Sequence, residues 1–171
     1  MLDSRQIEAA AADDGEVRGM WMKSVRSLGS SRVAGLDADS AFTLAYRGAL
    51  QAATAILRAA GFQARGDGHH HHTFAAVAAL ELGELSDAAR DLNIVRQRRH
   101  RAIYDWEASV QETDLLSLRS AADRLVERGR VWLQEQRPAL ELPKSGRYLI
   151  PPRIRPAEPR TLVRGYGLSH A

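Results

Sequence analysis

Between Thr113 and Gln136 the chain repeats Leu115, Leu118, Ala122, Leu125, Val126, Gly129, Trp132 and Leu133 at the spacing of one helical face. This stripe constrains the fold more than any other feature. A helix of that length gains most of its stability by burying its apolar face, so other elements have to cover it. The covering elements are themselves helical, because no segment shows sustained alternation of apolar and polar residues. An all-α chain is expected.

Four further helical segments can be read. The first is expected from about Ser4 to Leu28, with Val17, Met20, Trp21, Ser24, Val25 and Leu28 on one side, ending in Gly29-Ser30-Ser31. The second starts after Asp37 or Asp39, either of which can cap free N–H groups. It carries Phe42, Ala45, Tyr46, Ala49, Ala53, Ile56, Leu57 and Ala60 before Gly61, and its alanines suit close packing. A short third helix is expected over about His71 to Leu82, with Gly83 as its stop. The fourth begins at Ser86 and ends near Trp106 or Ala108. Pro138 stops the fifth. The predicted core unites Leu118, Leu125, Trp132, Ile56, Ala49, Val95 and Ile103.

Two regions are expected: a helical bundle over 1–142 and an extended, basic, proline-rich arm over 143–171. The arm holds Pro143, Pro151, Pro152, Pro156 and Pro159, and it carries a net charge of +5 against −2 for the other residues. The 171 residues suffice for one domain with a sizeable core, and 44% hydrophobic with 26% charged residues is ordinary for a globular chain. With no cysteine, disulfides and thiolate metal sites are excluded, and a cytoplasmic setting is expected. No apolar run approaches the ~18 residues of a membrane span, and the acidic, alanine-rich start does not resemble a secretory signal.

Basicity outside the arm concentrates in Arg96-Gln97-Arg98-Arg99-His100-Arg101-Ala102-Ile103-Tyr104-Asp105. At about 100° per residue, Leu92, Val95, Ile103 and Trp106 share a stripe, and Arg99 falls in its middle. An arginine on an apolar stripe needs a carboxylate, carbonyl or phosphate to offset its desolvation, so Arg99 is either an ion-pair member or the wall of an anion site. Asp91, Asp105 and Glu107 lie close enough in sequence to serve as structural partners. Arg96, Arg98 and Arg101 read as a basic surface fit for nucleic acid or as a solvated, ion-paired face. The stripe is partly apolar and partly charged, which suits an interface, and a homodimer burying this helix is expected.

The Ala45-Tyr46-Arg47-Gly48-Ala49-Leu50-Gln51-Ala52-Ala53 helix, the histidine-bearing loop before Thr73-Phe74, and Arg99-His100-Arg101-Ala102-Ile103-Tyr104-Asp105 together resemble the HEPN superfamily, and more narrowly its actinobacterial stand-alone branch. The resemblance covers roughly Trp21 to Leu133. It implies a four- to five-helix up-down bundle that pairs through a two-fold interface, often beside a nucleotidyltransferase-like antitoxin. Active members of the family are metal-independent, cofactor-free ribonucleases of toxin–antitoxin or stress systems. Their arginine neutralises charge building on the scissile phosphate, and their histidine moves protons at the ribose oxygens. By this resemblance the candidate catalytic residues are Arg99, His100 and Tyr104, and the candidate RNA-binding residues are Arg96, Arg98 and Arg101.

The chain departs from the family pattern at two points. His100 stands where a polar residue, often Asn, is usual, and Tyr104 stands where the histidine is expected. A tyrosine with a pKa of about 10 is a poor base near neutrality but a competent donor. His100 shares a face with Arg96 and is the local group that titrates near neutrality. Three readings follow: an RNA-cleaving bundle, a non-catalytic relative that binds RNA, nucleotide or a protein partner, and a purely structural dimerising bundle. The run His69-His70-His71-His72 is expected to start a helix, or to contribute one of its four histidines to the cleft, rather than to form a metal centre, because consecutive histidines do not converge readily on one tetrahedral ion. Trp21, Trp106 and Trp132 are expected in the core.

Overall fold

The computed structural model describes residues 7–65, 69–102 and 110–143 and, within these, all side chains except those at 69–71 and 98–102. Its elements are β1 (Ile7–Ala9), α1 (Asp14–Ser30), α2 (Ala38–Ala59), β2 (Phe62–Ala64), α3 (His69–Ala79), α4 (Glu84–Ala102) and α5 (Glu112–Gln136). The chain is an all-α helical bundle, with one minor two-stranded sheet among the described residues.

The helices begin and end for local reasons. The Asp13 carboxylate accepts the Glu16 amide at 2.7 Å and so caps α1, whereas the sequence pattern placed the start near Ser4. The described residues before the cap, from Ile7 onward, are not helical. Ile7, Glu8 and Ala9 pair antiparallel with Ala64, Gln63 and Phe62, and the pair is too short to show alternation in sequence. Asp37 caps α2 in the same way through the Ser40 amide at 2.8 Å. Gly61, with φ +88°, then turns the chain from α2 into β2. Between α3 and α4, Ser86 lies inside the first turn of α4 rather than capping it. Its buried hydroxyl donates to the Val77 carbonyl at 3.0 Å and accepts the Leu82 amide at 2.9 Å, tying the two helices together.

Packing follows from small residues on α2. Ala45, Ala49, Ala52, Ala53 and Ala55 are fully buried, and α2 packs against α1, α3 and α5. A Cβ at Gly48 would stand 2.6 Å from Leu28 Cγ, and one at Gly129 would stand 2.7 Å from Ile56 Cδ1, so both glycines permit close helix crossings. Trp21, Ile56, Leu92, Leu118, Leu125 and Leu133 fill the core. Of the predicted core, Leu118, Leu125, Ile56, Ala49 and Val95 are buried, while Trp132 is half-buried. Ile103 and Trp106 lie outside the described residues, as does the arm from residue 144 onward.

Ion pairs fix the helix directions. Ser27 bonds Gln51 at 3.1 Å and Glu16 pairs with Arg58 at 2.8 Å, so α1 and α2 run antiparallel. Asp91 pairs with Arg124 at 2.6 Å and Glu84 pairs with Arg128, so α4 and α5 do the same. The end of α1, the start of α2, the last turns of α4 and the first turns of α5 therefore share one end of the bundle. At the other end Arg58 and Arg137 hold the chain from Ala10 to Asp14 through backbone carbonyls and through Glu16 and Asp14.

Candidate functional site

The last turns of α4 carry the arginine run, and their register follows from the buried residues before them. Leu85, Ala88, Ala89, Leu92 and Val95 form the buried stripe of α4, and position 99 is one turn beyond Val95 in the same register. The backbone of α4 extends through Arg98, Arg99, His100 and Arg101, but their side chains are outside the described set, and Tyr104 lies outside the described residues altogether. The composite cleft expected from Arg99, His100 and Tyr104 thus falls on undescribed side chains.

Arg96 is described, and its environment is unusual for this chain. Six described arginines are half-buried: Arg32, Arg58, Arg96, Arg119, Arg130 and Arg137. Arg32 pairs with Asp123 at 2.7 Å, Arg58 with Glu16 at 2.8 Å, Arg130 with Glu127 at 3.1 Å and Arg137 with Asp14 at 2.8 Å. Arg119 donates to the Ser31 carbonyl, and its pKa is lowered by burial and by the Arg32 charge while Asp123 opposes the shift. Arg96 has neither kind of partner among the described residues. Its Nε donates to the neutral Asn93 Oδ1 at 3.2 Å.

Tyr46 projects from α2 and meets Phe74 of α3 edge-on, with ring centroids 5.9 Å apart and planes inclined by 68°. Tyr46 is half-buried, and burial raises its phenol above the ordinary value of 10.0 while the Arg96 charge acts in the opposite sense. The phenol therefore remains a donor at neutral pH. Its hydroxyl has no hydrogen-bond partner among the described residues and is not one of the sealed, unpartnered polar atoms, so it meets solvent.

The other flank of α4 is of mixed polarity, with the Asp91–Arg124 ion pair beside apolar side chains. Ile94, Val95, Leu116, Ser117, Ser120 and Arg124 line part of a groove of about 510 Å³ between α4 and α5, and Ile94 and Leu116 are 47% and 55% exposed. His72 is half-buried and partnered, and no group of three or more potential metal ligands exists among the described residues. No helix among the described residues is long and apolar enough to cross a membrane.

Arg96 was legible in the sequence as a member of the arginine run. Tyr46 was legible only as a stripe residue of the second helix, and Asn93 not at all. The available signal was the spacing of Asn93 three residues before Arg96, which places the two on one helical face. Nothing local connects either residue to Tyr46. A scan of protein-family models matches none of them to this chain, and searches of curated proteins and of solved structures likewise return no match.

Proposed function

We propose that this chain is a HEPN-type helical bundle directed at RNA, with the C-terminal half of α4 engaging the phosphate backbone. The observation that carries the reading is Arg96, the half-buried arginine that has neither a carboxylate nor a carbonyl partner among the described residues. A guanidinium that is partly desolvated and bonded only to an amide keeps a strong positive potential, and an outside anion is the natural complement. A purely structural bundle would pair Arg96 as it pairs Arg32, Arg58 and Arg137. The resemblance carried by Arg99-His100 and the further arginines on the same turns supports RNA as that anion. The exposed Ile94 and Leu116 on the α4–α5 groove support pairing of two copies across this face.

Incubating the purified protein with a labelled oligoribonucleotide in EDTA at two salt concentrations tests the reading. Wild type should bind with salt-sensitive affinity, and Arg96→Ala and Arg99→Ala should weaken it. Cleavage products in EDTA that disappear in His100→Ala would extend the proposal to metal-independent hydrolysis. If wild type neither binds nor cuts RNA, the proposal is wrong.

A further inference from the structure

Trp132 is half-buried near the end of α5 and forms, with Leu82, Leu85 and Val131, the apolar floor of a groove of about 260 Å³ between the α3–α4 turn and α5. Small-molecule pockets begin at about 300 Å³, so this groove suits one or two side chains of a peptide segment better than a free ligand. The Trp132 indole N–H has no hydrogen-bond partner among the described residues and is not a sealed polar atom, so it is open to an acceptor from outside. The rim is acidic. Glu84 and Glu135 line the groove and Glu81 precedes Leu82, against one guanidinium, Arg128, which pairs with Glu84. Glu81 and Glu135 are exposed and have no ion-pair partner among the described residues. An aromatic floor, an open indole donor and an acidic rim together fit an extended, basic, proline-containing segment, whose carbonyls make no internal hydrogen bonds.

The chain itself carries such a segment, Arg147-Tyr148-Leu149-Ile150-Pro151-Pro152-Arg153, just past the described residues. After α5 the Leu140 amide bonds the Arg137 carbonyl at 2.9 Å, and Leu140 and Leu142 are buried, so the chain stays against the bundle beside the end of α5 up to residue 143. The five residues from Pro143 to Tyr148 reach at most about 17 Å, roughly three helical turns, whereas Trp132 lies only about one turn from the end of α5. Tethering also presents the segment at an effective concentration in the millimolar range, so a contact too weak to hold a free peptide is filled. We propose that residues 147–153 dock in the Trp132 groove of their own chain, with Leu149, Ile150 and the two prolines on Trp132 and Val131 and the flanking arginines beside Glu81 and Glu135. This docking is independent of the RNA reading, and it leaves the groove beside Ile94 and Leu116 to the pairing of copies.

The chain has no cysteine, so Ala157→Cys in the full chain carries a nitroxide at one defined position. The indole N–H resonance of Trp132, assigned by its loss in Trp132→Phe, is then followed by NMR. It should be broadened by the nitroxide and recover when the label is reduced. Adding Ile150→Asp on the arm, or Val131→Glu in the groove, should each abolish the broadening. Val131 is 40% exposed, so its variant should keep wild-type helix content by circular dichroism. An unbroadened Trp132 resonance in the labelled chain, or broadening that survives either substitution, would overturn the docking. A mixture of ¹⁵N-labelled chain without nitroxide and unlabelled chain with it separates the sources of the segment. The Trp132 resonance should stay sharp there, and broadening equal to that within one chain would place the arm on a second copy and overturn the proposal as stated.

Discussion

Gly48 and Gly19 both lie in helices, and the same substitution at the two positions should move stability in opposite directions. Glycine inside a helix costs about 0.5–1 kcal/mol relative to alanine, so Gly→Ala is stabilising wherever a methyl group fits. At Gly19, on the exposed face of α1, a Cβ meets nothing within 4 Å, and Gly19→Ala should raise stability by about that amount. At Gly48 the added methyl would stand 2.6 Å from Leu28 Cγ and 3.0 Å from the Leu28 backbone nitrogen. Leu28 is fully buried and cannot swing away, and a backbone atom yields only if α1 and α2 separate. Overpacking of this kind costs about 1–3 kcal/mol, with a backbone clash toward the upper end. After subtraction of the helix-propensity gain, Gly48→Ala should be destabilised by about 1–2 kcal/mol, leaving a gap of roughly 2 kcal/mol between the variants. Urea unfolding followed by circular dichroism reads this as midpoints displaced to either side of wild type at an unchanged slope. Equal stabilisation of both variants would show that α1 and α2 do not cross at Gly48, and the packing argument would fail.

Leu125 is fully buried on α5, so Leu125→Ala should cost about 2–5 kcal/mol in the same unfolding assay, and a loss below 1 kcal/mol would remove it from the core. The Asp37 cap should titrate. Its pKa is lowered by hydrogen bonds from Ser40, so the cap is fully present above the ordinary aspartate value and is lost as pH falls through the lowered one. Protection of the Ser40 amide relative to its intrinsic exchange rate should fall over that acidic window in wild type but not in Asp37→Asn, whose cap does not ionise. Ile94→Glu should dissociate the proposed pair of copies in sedimentation velocity without loss of helix content, and a wild type that sediments as a monomer would refute the pairing.

The legible part of the fold was the part written in short-range periodicity. The stripe from Leu115 to Leu133 and the Gly61 turn each depend on residues within about one or two turns and could be read directly, while the cap of α2 could be narrowed to Asp37 or Asp39, of which the structure uses Asp37. The N-terminal strand could not. Ile7–Ala9 is three residues long and its partner lies more than fifty positions away, so no local window contains both halves. The alanine-rich sequence around these residues favours a helix reaching back to Ser4, which the Asp13 cap cuts short. Trp132 fell on the predicted stripe but lies at its edge, lining a shallow groove with Leu85 and Val131, and is only half-buried.

The candidate site divides along the same line. The arginine run was legible as a concentration of charge. What distinguishes Arg96 from Arg58 or Arg137, among the described residues, is the absence or presence of an acid delivered by another helix, which is a property of tertiary packing. Tyr46 and Arg96 are fifty residues apart, so no local window relates the Arg96 charge to the Tyr46 phenol on which it acts. The Arg99, His100 and Tyr104 side chains that carried the family resemblance remain a sequence-based expectation.

The central claim is that Arg96 is held for an external phosphate rather than for the fold. Arg96→Ala and Arg137→Ala, measured side by side for urea stability and for affinity toward the same oligoribonucleotide, test it most directly. The account predicts that Arg96→Ala keeps wild-type stability within about 0.5 kcal/mol while RNA affinity falls at least ten-fold, and that Arg137→Ala loses stability with RNA affinity preserved. A destabilised Arg96→Ala that still binds RNA as wild type does would contradict it.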